Sequence, residues 1–280
     1  MITMVVHGGA GSWRAEHRDR ALGGVQRAVD AGHAVLDQGG DALGAVQAAV
    51  IVLEDDPIFN AGRGAVLDEC GAILHDASLM RGTDRAAGAV AAIAGIRNPV
   101  KAARAVLDEG RHVMLVGDQA SAFAREQGLA TESDDWFRTE ERTEQRGNTV
   151  GAVALDVHGG VAAATSTGGT SRKHPGRAGD SSLIAAGTWA CDATVAISCT
   201  GDGEAIIRTA LAHEIDALMR HAGLPLAAAA QRALDQLGPF GTGGLIAVGA
   251  DGSVAAPFTT AGMPRAWRIG RNPTIAAIDA

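Results

Sequence analysis

Thirty-eight glycines among 280 residues, with aromatic side chains at only 3%, force the core to be built from alanine, valine, leucine and isoleucine at short backbone separation. Tightly packed sheets and helices are the expected outcome. Ile2 to Val6 reads as a buried strand, and two alanine-rich periodic stretches, Glu16 to Asp37 and Asp41 to Leu53, read as helices. Ala65 to Leu74 and Ala86 to Ile96 are predicted as strands punctuated by glycine. Asn98-Pro99 opens a helix, because proline is favoured in the first turn. His112 to Val116 is a strand followed by a helix. Strands are expected again at Thr149 to Leu155, Gly160 to Thr165, Thr194 to Thr200, Leu245 to Val248 and Val254 to Pro257. Helices are expected at Gly203 to His221 and Leu226 to Leu237. This pattern alone gives α/β or α+β, in one large domain or two small ones.

A net charge of −8 argues against phosphate backbones and anionic membranes as partners. No stretch reaches 18 uninterrupted apolar residues, and Met1-Ile2-Thr3-Met4 enters a strand without a basic leader, so the expected location is cytoplasmic. Three cysteines, Cys70, Cys191 and Cys199, form no CxxC pair and read as small core residues rather than a disulfide framework or zinc site.

Thr131 to Asn148 stands apart. Nine of its eighteen residues are charged and only Trp136 and Phe137 can anchor it, so it reads as a mobile linker. It runs into the apolar segment Thr149-Val150-Gly151-Ala152-Val153-Ala154-Leu155. If the chain were cut before Thr149, that residue would carry a hydroxyl and a free amine together. An α-amine sits near ~8, whereas a lysine near ~10.4 needs roughly 3 kcal/mol of environmental shift to act as a base at neutral pH. A threonine is also an ordinary way to begin a strand, so the surrounding motifs decide between the readings.

Those motifs are ordered along the whole chain: Val6-His7-Gly8-Gly9-Ala10-Gly11, Phe59-Asn60-Ala61-Gly62-Arg63-Gly64, Thr149 to Asp156, Thr165-Ser166-Thr167-Gly168-Gly169, Pro175-Gly176-Arg177-Ala178-Gly179-Asp180-Ser181 and Cys199-Thr200-Gly201-Asp202-Gly203-Glu204. Together they resemble the isoaspartyl peptidase/L-asparaginase (plant-type asparaginase) family of N-terminal nucleophile hydrolases. The resemblance implies an α+β fold, a four-layer αββα sandwich. It implies a single unit spanning 1–280 that cleaves itself between Asn148 and Thr149 into residues 1–148 and 149–280.

By the same correspondence Thr149 is the nucleophile, Thr167 orients its hydroxyl, and Thr200 with the backbone N–H of Gly201 forms an oxyanion hole. Arg177 and Asp180 suit a zwitterionic substrate end, since a guanidinium fork matches an α-carboxylate and an aspartate matches an α-ammonium. As a bare Arg and Asp three apart they would form a surface pair. Gly203 and Asn60 join the substrate pocket. No cofactor is required, but the family can hold a structural sodium through backbone carbonyls of the loop matching Leu53, Glu54, Asp56, Phe59, Ala61 and Arg63. The implied substrates are L-asparagine and β-aspartyl dipeptides, and the implied assembly is a homodimer of cleaved units. The family often carries Gly or Asp where this chain has Asn148, and Asp202 would oppose an oxyanion if it pointed inward.

Three other readings are weaker. His7-Gly8-Gly9-Ala10-Gly11 lacks the G-x-G-x-x-G spacing of dinucleotide sites, no G-x-S-x-G elbow appears, and the nine histidines include no i,i+4 pair on one helix. Glycosylasparaginase is the enzyme alternative, and a noncatalytic, uncleaved relative is the nonenzyme one.

Overall fold

The computed structural model describes residues 1–139 and 148–279. Its architecture is mixed α+β, with two sheets. The larger has the strand order β12-β11-β1-β5-β6-β2-β3-β4 and the smaller β10-β9-β8-β7. The strands are β1 (Thr3–His7), β2 (His75–Arg81), β3 (Ala87–Ile93), β4 (Met114–Val116), β5 (Thr149–Leu155), β6 (Val161–Thr167), β7 (Thr188–Cys191), β8 (Val195–Gly201), β9 (Gly243–Gly249), β10 (Val254–Ala255), β11 (Arg265–Ile269) and β12 (Ile275–Ala277). All neighbours pair antiparallel except β3 and β4. The helices are α1 (Ala15–Asp37), α2 (Ala42–Asp55), α3 (Pro99–Glu109), α4 (Gly117–Glu126), α5 (Asp134–Phe137), α6 (Gly203–Thr209), α7 (Leu211–Ala222) and α8 (Leu226–Leu237).

Side-chain alternation with a period of two divides the strands between three cores. Met4 and Val6 of β1, with Val150, Ala152 and Ala154 of β5, pack against α1, α2 and α3. Val195, Ile197 and Cys199 of β8 pack against α6, α7 and α8. Val5, Val153, Leu155, Val161 and Ala163 face the other way and meet Ala196, Ile246 and Val248 of the smaller sheet. The residues in step with this inter-sheet set are Thr149 and Gly151 on β5, Thr165 and Thr167 on β6, and Ser198 and Thr200 on β8. One end of the space between the sheets is therefore hydroxyl-lined where its middle is apolar. Gly151 permits the close approach, since a Cβ there would collide with Ser198 Oγ.

Several expectations need correction. The segment Ala65 to Leu74, expected as a strand, is instead a loop that follows a 3-10 turn at Gly62–Gly64, and β2 begins at His75. Asp68 Oδ1 accepts the backbone N–H groups of Cys70 and Ala72, which folds the segment back on itself. The helix expected over Gly203 to His221 is two helices. Ala210 adopts φ +48°, and the N–H groups of Ala212 and His213 turn to the carbonyls of Ala186 and Ala185. Cys70 is exposed rather than a core residue.

The expected linker also begins later than Thr131. Thr131 bridges to Ile96, Asp134–Phe137 is helical, and Phe137 is buried beside His75 with Trp136 edge-on to it. Arg63 and Arg97 lie over the Trp136 ring at 5.1 and 5.2 Å. The rest of that segment, 140–147, lies outside the described residues. No helix among the described residues is long and apolar enough to cross a membrane.

Candidate active site

Thr149 opens β5 and pairs in register with Thr167, the last residue of β6. Its hydroxyl donates to Thr167 Oγ1 at 3.3 Å, and it is 6% exposed, buried yet reachable. Thr167 Oγ1 is fixed by the Gly169 N–H at 2.9 Å and lies 3.5 Å from the Asn148 carbonyl. Asn60 stands behind this pair rather than in the cleft. Its Nδ2 donates to the Gly169 carbonyl at 2.7 Å and its Oδ1 accepts the Val66 N–H, pinning the turn that carries Thr167.

A narrow cleft of about 10 Å³ is lined by Thr149, Thr167, Gly169, Thr170, Arg177, Asp180 and Gly201. It gathers residues separated by more than fifty positions in the chain. The Arg177 side chain is 15% exposed, and its Nε and Nη2 meet the two carboxylate oxygens of Glu204 at 2.8 and 3.1 Å. Burial opposes the guanidinium charge, but Glu204, Asp76 and Asp180 outweigh it and hold Arg177 above its usual range. Burial pushes the Asp180 carboxyl up to about 7 despite the nearby Arg177, and its Oδ2 has no hydrogen-bond partner among the described residues. The buried carboxyl thus keeps one oxygen without a partner beside the buried Arg177 guanidinium. Gly203 packs against both, and a Cβ there would stand 2.7 Å from Asp180 Oδ1.

Thr200 is fully buried, and its Oγ1 accepts the Ala10 N–H at 3.1 Å, which leaves its own proton to be donated. Gly201 lines the cleft at φ +135°. Asp202, which could have opposed an oxyanion, is turned aside: its Oδ2 accepts the Thr242 N–H at 2.7 Å and lies 3.2 Å from the Thr242 hydroxyl.

Sequence reasoning gave no role to several residues that shape this site. Gly9, at φ +109°, backs onto the Asn148-Thr149 peptide. A Cβ there would stand 2.9 Å from the Thr149 carbonyl oxygen and closer still to Asn148 Cβ. The glycine run that spacing excluded as a dinucleotide motif therefore cradles the bond expected to break. Lys173 is buried, and its ammonium donates to the carbonyls of Leu74 and Gly168 at 2.8 and 2.7 Å. Desolvation lowers its pKa, with Asp76 opposing. A lysine two residues before Pro-Gly carries no sequence signal for such burial. Beneath the site a buried chain of hydroxyls runs from His7 through Ser198, Thr165 and Thr188 to Ser78, with donor–acceptor distances of 2.6–3.0 Å. Burial holds His7 neutral, its pKa lowered to about 3 although the Thr149 backbone favours the charged form.

In the loop proposed for sodium each carboxylate has a partner, but Glu54 Oε2 is buried with no hydrogen-bond partner among the described residues. Glu54 is buried, its Oε1 accepts from Val100 N–H and Ser166 Oγ, and burial raises its pKa to about 8. Asp55 meets Arg97, and Asp56 meets Arg20 and Arg27.

Comparison with known proteins agrees with the motif order. A family model described as asparaginase matches residues 1–147 and 141–276. The isoaspartyl peptidase of Salmonella typhimurium is 43% identical, covering 97% of this chain and 96% of its own length. That of Escherichia coli is 42% identical, covering 97% and 94%. The isoaspartyl peptidase/L-asparaginase of Mus musculus is 41% identical, covering 99% and 90%. On the family match and these near full-length identities, the chain belongs to the asparaginase family of isoaspartyl peptidases and L-asparaginases that its motifs resemble.

Proposed function

We propose that the chain is a threonine amidohydrolase that cuts itself before Thr149, giving residues 1–148 and 149–280, and then hydrolyses β-aspartyl dipeptides and the side-chain amide of L-asparagine. One observation carries this reading: a strand-initial threonine hydroxyl shares a cleft with a second threonine oxygen 3.3 Å away, a buried arginine and a buried carboxylate with one unpartnered oxygen. The relatives' names, isoaspartyl peptidase and L-asparaginase, supply the substrates and lend nothing to the glycosylasparaginase alternative.

In self-cleavage, Thr149 Oγ attacks the Asn148 carbonyl carbon and the Thr149 nitrogen leaves as the amine, so that an ester replaces the amide. Water then hydrolyses the ester and returns the hydroxyl. In turnover, the freed amine takes the Thr149 hydroxyl proton as Oγ attacks the substrate β-carbonyl. Thr200 Oγ and the Gly201 N–H stabilise the developing oxyanion, and Thr167 holds the nucleophile in line. The amine's proton passes to the departing nitrogen. Water, deprotonated by the same amine, then releases aspartate from the ester. Arg177 binds the α-carboxylate and Asp180 the α-ammonium.

Helices outside each of two facing sheets support assignment to the four-layer αββα sandwich of N-terminal nucleophile hydrolases. The reading extends to a homodimer of cleaved units in the cytoplasm, where the three free cysteines suit a reducing compartment. It extends also to a structural sodium held by carbonyls of Leu53, Glu54, Asp56, Phe59, Ala61 and Arg63, with no part in the chemistry. The deciding experiment is intact mass and N-terminal sequencing during incubation. Two fragments, the second beginning Thr-Val-Gly-Ala, should appear together with turnover of a β-aspartyl dipeptide. Full turnover by uncut chain rules the reading out.

A further inference from the structure

A second cavity, of about 450 Å³, adjoins the cleft and shares Thr170 and Gly201 with it. The charges that match an aspartyl end, Arg177 and Asp180, line only the narrow cleft. A substrate bound there must direct its departing amine into the larger space. Ammonia from asparagine needs almost none of that volume, whereas an amino acid fills much of it. The wall carries hydroxyls, among them Ser12, Thr170, Thr242 and Thr260, able to meet a peptide's polar groups. Asp202 is the one acidic or basic side chain among the described lining residues. Its carboxylate is held against the wall by the Thr242 N–H and hydroxyl, so the charge has a fixed place. Gly241 makes room for it, since a Cβ there would stand 2.7 Å from Asp202 Oδ2.

Building on the hydrolase reading above, we propose that this cavity receives the amine half of β-aspartyl dipeptides and that Asp202 selects leaving residues with cationic side chains over acidic ones. Asp202 is exposed, so each charge contact shifts affinity by only about 1.5- to 5-fold. A lysine leaving residue is attracted and a glutamate one repelled, so the two should differ by about twofold to twenty-fivefold.

The test is kcat/KM of the self-cleaved enzyme for β-aspartyl-lysine, β-aspartyl-leucine, β-aspartyl-glutamate and L-asparagine, at low and at high salt, in wild type and Asp202→Asn. The expected order is lysine, leucine, glutamate. The lysine-to-glutamate ratio should fall towards one in Asp202→Asn and, in wild type, as salt shortens the screening length. The salt series stands by itself if the variant does not fold or cleave. A wild-type ratio near one, or one indifferent to both salt and Asp202→Asn, overturns the proposal while leaving the hydrolase reading intact. Asparagine turnover with no dipeptide turnover overturns the cavity's assignment as the amine side. Failure on all four substrates by fully cleaved enzyme overturns the hydrolase reading itself.

Discussion

The two sides of Thr149 are built on opposite principles. On the proposed acyl side the cleft is narrow, about 10 Å³, and the groups proposed to recognise substrate are an arginine and an aspartate withdrawn from solvent. On the amine side about 450 Å³ opens among hydroxyls and one exposed carboxylate. Charges in a desolvated space interact far more strongly than charges at a solvated mouth. Discrimination should therefore be severe for the aspartyl half of a substrate and mild for the other half. The contrast has a structural origin: the cleft lies where two sheets and the Gly168-Gly169 turn converge, whereas the cavity is lined mostly by loop residues.

Thr149→Ala should break both sides at once. The variant is expected to remain a single chain on denaturing gels and to lose turnover by a factor on the order of 10⁴ or more, since nucleophile and base vanish together. Thr149→Ser should cleave and turn over in part, because only a methyl is lost. Cleavage of the alanine variant at the same bond would dismiss Thr149 as the self-cleaving group.

The next largest effect probes the acyl side alone. Arg177→Lys keeps the charge but not the fork, and one ammonium cannot pair with Glu204 and a substrate carboxylate in parallel. Losing charged hydrogen bonds of about 1.5–3 kcal/mol corresponds to roughly 10- to 150-fold in kcat/KM. Self-cleavage should be little changed, as it involves no free carboxylate. A loss of twofold or less would return Arg177 to the role of a surface ion-pair partner.

Asp180 makes the same side sensitive to pH. With its pKa raised to about 7, it is protonated below that value and cannot receive an α-ammonium. The Thr149 amine, near ~8, is also inactive when protonated. The acidic limb of log kcat/KM should therefore steepen towards a slope of two below about pH 7, costing about an extra tenfold at pH 6. In Asp180→Asn the residual activity should follow a slope of one, and a slope of two there would exclude Asp180 as the second group. The sign for stability is the reverse of an ion-paired carboxylate. The native state binds the extra proton between the ordinary value and about 7, so Asp180's contribution to stability falls as pH rises through that window.

Much of this contrast was legible in the sequence, for reasons that differ by residue. Thr149 opens a strand the apolar pattern marks, whereas Thr167 lies two residues past the strand expected over Gly160 to Thr165 and came from the family resemblance; the two meet because β6 runs on to Thr167 and pairs in register with β5. Arg177, Asp180, Thr200 and Gly201 were found through motif order, which marks chemistry without fixing distances. The segment from Ala65 to Leu74 misled because its apolar residues resemble a strand, while the turn made by Asp68 Oδ1 is a side-chain effect that periodicity does not register. The helix break at Ala210 is set by docking to Ala185 and Ala186, partners twenty-five residues away. Lys173 and the His7 to Ser78 chain were invisible for a related reason. Polar residues read as exposed until the tertiary fold supplies their partners.

The smallest effect tests how the acyl side is held. Glu204 grips the Nε and Nη2 edge of Arg177, and its own side chain is 67% exposed. The remaining nitrogen, Nη1, lies 3.2 Å from where a Cβ on Gly169, a cleft residue, would stand. Glu204 thus holds the fork from outside and leaves Nη1 outside that pair, the end that the proposed function gives to the substrate carboxylate. Arg177 in turn holds the Glu204 carboxyl below its usual range. Glu204→Gln keeps the shape and one acceptor but removes the charge. Exposed pairs of this kind contribute about 0.2–1 kcal/mol, so KM for a β-aspartyl dipeptide should rise about 1.5- to 5-fold, with kcat and self-cleavage unchanged. A fall in KM would mean that Glu204 competes with the substrate for Arg177. The acyl side would then be a site blocked by its own carboxylate until substrate displaces it, rather than one organised in advance.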